Sequence, residues 1–146
     1  MARTHGKGSS FSIDDAGGTP RVISEAITSI DFPGTVDMAE VSGMGDAAKE
    51  YLPGLADGTI TITGNWEDAA TTGADTVLGA LFDANGELTA GGSLDFMYGP
   101  EGAESTDIKY SGKCFMTGYS MSSPLSGAVT FTATFQVTGA VTRGTY

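Results

Sequence analysis

The chain has 146 residues, with 22 Gly, 19 Thr and 13 Ser; charged residues make up only 17% and the net charge is −11. That length amounts to about one domain, enough for one hydrophobic core. A pI of about 4.1 leaves no clustered Lys and Arg for nucleic-acid binding, 40% apolar content with 13 aromatics argues against full disorder, and even the apolar run Val77–Phe82 is too short to cross a bilayer.

Residues 1–20 are polar and glycine-rich and end in Asp14-Asp-Ala-Gly-Gly-Thr-Pro20. They read as a flexible N-terminal arm, with Phe11 and Ile13 as a small edge strand and residues 21–146 as the domain proper. Arg3 and Lys7 are not followed by a hydrophobic region, so this is not a secretory signal and synthesis in the cytosol is expected. Val22 to Phe32, β-branched and bounded by Pro20 and Pro33, predicts a strand. Gly34 to Leu55 is a long connection holding Val36, Met38, Val41, Met44, Tyr51 and Leu52. A structureless loop of this length is uncommon unless functional or disordered, and its apolar content argues against disorder.

Thr59 to Trp66 alternates: Ile60, Ile62 and Trp66 fall on one parity, Thr59, Thr61 and Thr63 on the other, as in a half-buried strand. Asp75 to Asp83 predicts the one helix, capped by Thr71 or Thr72 and stopped by Asn85-Gly86, with Val77, Leu78, Leu81 and Phe82 on one face. Ser93 to Tyr98 alternates through Leu94, Phe96 and Tyr98, and Asp107 to Met121 predicts a long strand, bulged around Gly112 and Gly118. Ala128 to Val141 is the strongest strand: Val129, Phe131, Ala133, Phe135 and Val137 face one way, Thr130, Thr132, Thr134, Gln136 and Thr138 the other. Ser126-Gly127 after Pro124 marks a hairpin turn between these last two strands. Five to seven strands and one helix give an all-β sandwich or barrel.

Catalytic constellations are weak. Gly43-Met-Gly-Asp-Ala-Ala48 faintly resembles a dinucleotide fingerprint, but no strand of a βαβ unit precedes it, and it reads as a glycine-jointed loop. Glu67-Asp68 and Asp14-Asp15 read as solvated charges. Cys114 forbids an intrachain disulfide, lacks a well-placed histidine base and reads as a small buried hydrophobe. One Cys and one His supply no Cys/His zinc cluster, so no metal or cofactor is expected. The threonine faces are more informative. An ordinary solvent face carries Lys and Glu to blunt sheet pairing, whereas Thr59, Thr61, Thr63, Thr130, Thr132, Thr134 and Gln136 are polar and uncharged. Such a face suits a sheet continued by a neighbour or facing an enclosed aqueous space; threonine's β preference alone is the plainer explanation.

The ordered set Ile27-Thr-Ser-Ile-Asp-Phe-Pro-Gly34, Gly43-Met-Gly-Asp46, Leu52-Pro-Gly-Leu-Ala-Asp57 and Thr61-Ile-Thr-Gly-Asn-Trp66, with the ending Phe131 to Gly144, resembles the tail tube (major tail) proteins of long-tailed bacteriophages over roughly residues 20–144. The resemblance implies a two-sheet antiparallel β-sandwich with a flanking helix, six copies forming a ring whose inner sheets join into a β-barrel, and rings stacked into the hollow tube through which the genome leaves. It implies that residues 34–55 reach the adjacent ring. Implied partners are the chain itself and tape-measure, tail-terminator and baseplate or tail-tip proteins, with DNA only in passing and no membrane segment; the implied place is the virion tail, after synthesis in the host cytoplasm. The competing class is a non-catalytic β-sandwich binding module for carbohydrate or a surface ligand, such as a virion decoration. Exposed aromatics on a flat face would support it, but Trp66 is the only Trp and falls on the apolar parity.

Overall fold

The computed structural model describes residues 3–15, 18–70, 73–81 and 94–146. The strands are β1 (Ser10–Asp14), β2 (Pro20–Val22), β3 (Ile27–Asp31), β4 (Gly34–Glu40), β5 (Tyr51–Asn65), β6 (Leu94–Gly99), β7 (Ile108–Ser122) and β8 (Thr130–Thr145). A short helix α1 (Ala74–Leu78) runs into a 3-10 turn at Gly79–Leu81. All pairs are antiparallel, and the layers of the expected sandwich are joined into one sheet, in the order β2-β1-β6-β7-β8-β5-β3, with β4 paired to β5.

That sheet curls into a half-barrel. Phe11 of β1 meets Phe135 of β8, ring centroids 6.3 Å apart, although β6 and β7 lie between them in the sheet. Phe32, after β3 at one edge, likewise reaches Phe96 and Tyr98 of β6, at 5.7 and 6.4 Å. The curl encloses the core: Ile60 and Ile62 of β5, Phe96 of β6, Cys114 and Met116 of β7, and Phe131, Ala133 and Phe135 of β8. Ala74, Val77, Leu78 and Leu81 of the helical segment join it, and the Tyr119 hydroxyl donates to Asp75 Oδ1 at 2.9 Å, tying the segment to β7.

The alternation of β5, β6 and β8 follows the expected parity. Val129 departs from it: pairing stops at Thr130, and the side chain is exposed. The expected bulges in β7 appear as register shifts between Ser111 and Lys113 and between Met116 and Gly118. The expected strand 22–32 is broken by a 3-10 turn at Ser24–Ala26, where the Ser24 hydroxyl accepts from Phe11 N at 2.8 Å and anchors the chain to β1. The helix ends earlier than its pattern suggested, and its N-cap is Gly73 without a side-chain cap. The expected caps Thr71 and Thr72, the face residue Phe82, the stop Asn85-Gly86 and the strand start Ser93 lie outside the described residues.

Within the expected arm, Ser10–Asp14 is instead an interior strand, buried at all five positions and paired with β2 on one side and β6 on the other. It ends on Asp14, which is 8% exposed and accepts from Asp95 N at 3.1 Å. Burial, then the nearby charges of Asp95 and Asp15, raises its pKa above the ordinary 3.8. The folded chain therefore holds this proton more tightly than the unfolded chain. Wild-type stability gains as pH falls through the folded pKa, a gain complete below the unfolded value. Asp14→Asn keeps an acceptor for Asp95 N and removes the buried charge. We expect the variant to melt higher than wild type at pH 7 and the difference to shrink on acidification to pH 4; a difference constant over that range would refute the assignment.

Candidate functional site

The connection from Gly34 to Leu55 is not irregular: β4 and the first half of β5 form a protruding hairpin. Thr35 pairs with Asp57, Val36 with Ala56, Met38 with Pro53, Ala39 with Leu52 and Glu40 with Tyr51, with a register shift between Val36 and Met38. Opposed residues of an antiparallel pair share a face. Val36, Met38 and Tyr51 therefore lie together on one side and Leu52 on the other. Every residue of β4 and of 51–57 is exposed. Exposure is 47% at Val36, 60% at Met38, 54% at Tyr51, 59% at Leu52 and 83% at Leu55, so the arm is apolar on both faces and unpacked within the chain.

The tip is ordered. Val41 N donates to Glu50 O at 2.9 Å and Glu50 N to the Ser42 hydroxyl at 2.7 Å. Asp46 N donates to Gly43 O at 3.2 Å, while Gly43 N donates to Asp46 Oδ2 at 2.6 Å. Gly45 has φ +99°, as the third position of a type II turn requires. The glycine pair that faintly resembles a dinucleotide fingerprint is thus a turn joining two strands. It holds Met44 fully exposed and Val41 half-exposed.

The threonines come together as paired rows on the sheet face turned away from the core. One row runs Asp31, Thr61, Thr134, Gly118; the next runs Ser29, Thr63, Thr132, Ser120. Thr59, Gln136 and Phe115 flank them on one side, Asn65, Thr130 and Ser122 on the other. Thr117 and Ser120 hydroxyls donate to the carbonyls of Thr134 and Thr132, and Gln136 Nε2 donates to Asp57 Oδ1 at 2.6 Å. Within the rows and their flanks only Asp31 is charged. Pattern reading missed Ser29, Asp31, Ser120 and Ser122, because bulges in β3 and β7 shift their registers. It also missed the exposed Phe115, Met121 and Leu125; Leu125, an apolar residue amid turn formers, was the available signal.

Among the described residues no three His, Cys, Asp or Glu side chains are grouped to hold a metal, and no helix is long and apolar enough to cross a membrane. Glu67 and Asp68 are exposed, and Asp15 pairs with Arg21 at 3.0 Å. His5 Nδ1 accepts from Lys7 N, within its own 3-10 turn. Cys114 is fully buried; burial, then the charges of Asp14 and Asp95, pushes its thiol up to about 12. The thiolate, the reactive form, is then on the order of one molecule in ten thousand at pH 8. Labelling of native protein at pH 8 should be at least ~100-fold slower than in denaturant; equal rates would place the thiol on an accessible surface.

No protein-family model and no curated protein sequence matches the chain. Solved structures do. A chain in the tail of an empty gene transfer agent particle, determined with C6 symmetry, has a TM-score of 0.75 at 16% identity, covering 96% of this chain and 98% of that one. The SPP1 tail tube gives 0.73 at 12% identity, covering 99% and 80%. The sheath–tube complex of an extracellular contractile injection system gives 0.67 at 14%, covering 100% and 94%. The described residues share the fold of these tube proteins.

Proposed function

We propose that this chain is a structural subunit without enzymatic activity that closes into six-membered rings and stacks them into a hollow tail tube of a virion or virion-like particle. The observation that carries this reading is an exposed, doubly apolar hairpin beside an outward sheet face of threonine and serine rows in which Asp31 is the one charge, on a fold shared with tail tubes. The hairpin, through Val36, Met38, Val41, Met44, Tyr51 and Leu52, reaches the adjacent ring. The face built on Thr59, Thr61, Thr63, Thr130, Thr132, Thr134 and Gln136 lines the lumen. Joining sheet edges around the ring removes exposed strand edges. Tape-measure, terminator and tail-tip proteins would set length and ends, and the subunit would be made in the host cytoplasm.

The mechanism is passive. The rows of hydroxyls and amides offer passing DNA no cation, the neighbouring Lys113 is paired with Asp95 at 2.8 Å, and net charge −11 on each copy repels phosphate. Assembled protein should show no measurable duplex-DNA affinity at ~0.15 M salt, where screening acts over about 8 Å; binding that weakens steeply with salt would reveal a basic stripe. Electron microscopy of concentrated protein, with and without tail-initiator and tape-measure proteins, tests the reading itself. Six-fold rings and tubes are expected; monomers under all conditions would overturn it.

A further inference from the structure

We propose that the β7–β8 turn, through Met121, Leu125 and Val129, receives the β4–β5 hairpin of a second copy of this chain; the inference rests on the stacked-tube reading and names the surface that makes it polar. These side chains are exposed by 57%, 106% and 38%. Residues 121–130 carry no charge.

The placement follows from register. β5 is one strand of 15 residues, about 50 Å long at ~3.3 Å per residue. Its pairing with β8 runs from Thr59 opposite Gln136 to Asn65 opposite Thr130, and Trp66 N then donates to Val129 O at 2.9 Å. Its last residues therefore lie at the β7–β8 turn, while its first, Tyr51–Asp57, form the hairpin. One strand carries an unpacked apolar patch at each end, too far apart to meet within one copy.

Charge selects the pairing. Residues 34–57 hold five carboxylates, Asp37, Glu40, Asp46, Glu50 and Asp57, against Lys49 alone. Two hairpins meeting head to head would bring ten carboxylates together, whereas the turn itself adds no charge and its flank adds only two. Glu67 and Asp68 border that end beside Trp66, and Lys49, near the hairpin tip, is opposite to them in sign. Hairpin on turn is a contact between unlike patches at opposite ends, and repetition by translation gives an open, directional stack.

The test uses full-length chain with Met44→Cys and Leu125→Cys, the buried Cys114 left in place. Oxidised tubes should give a ladder of disulfide-linked chains on denaturing gels, since every copy both donates and receives. Neither single variant should give one. Leu125→Asp should yield six-fold rings without tubes. A ladder from Met44→Cys with Val141→Cys, in the cleft at the hairpin's own root, and none from the Leu125 pair would overturn the proposal. So would wild-type-length tubes from Leu125→Asp. In both cases the tube reading stands; a wild-type chain forming neither rings nor tubes overturns both.

Discussion

A chain in which a short Gly-Ser linker replaces residues 36–52 is expected to fold and to fail to stack. Every β4 residue and every β5 residue before Gly58 is exposed, so the cut removes no core contact. The unfolding midpoint should stay within a few degrees of wild type, while tubes disappear from micrographs and six-fold rings remain. Burying one apolar side chain of this size is worth about 1.5–3 kcal/mol, and the hairpin offers several in each copy of a ring. Tubes of normal length from the deleted chain would show that the hairpin is not the inter-ring contact.

Adjacent positions on β8 should behave in opposite ways. Phe135 is fully buried and packs on Phe11 across the curl. Phe135→Ala should cost about 3–5 kcal/mol, a large share of the 5–15 kcal/mol typical of a whole domain. Thr134→Val lies on the uncovered face and should change stability by no more than about 0.5 kcal/mol. Urea unfolding of the subunit measures both; equal losses would mean that the two faces of β8 are packed alike and that the threonine rows are not free.

This contrast was legible in the residues. Phe131, Ala133, Phe135 and Val137 are buried and the threonines between them half-exposed, as alternation demands. Ile60 and Ile62 against Thr59, Thr61 and Thr63 repeat the pattern. β1 was not legible as an interior strand, because its burial comes from distant partners: Ser10 sits opposite Gly99 and Ser12 opposite both Met97 and Val22. Phe11 and Ile13 alone, in a glycine-rich stretch, carry no trace of that. The hairpin announced itself by length and apolar content but not as strands, since Pro53-Gly54 and the register shift near Met38 destroy its period. The full extent of the threonine face was hidden similarly: Ser29 and Ser120 join it only through bulged registers.

β5 belongs to two bodies at once, since the strand that forms half the hairpin continues without interruption into the sheet, between β3 and β8. A pull on a docked hairpin therefore travels along covalent backbone into the ladder, which must be sheared along its length rather than peeled one bond at a time. The contact between rings has only side-chain packing to resist the same load. A tube under tension should part at ring boundaries, shedding whole intact rings. Stretching single tubes would read this as rupture in steps of one ring height, without the longer extension of an unravelling chain.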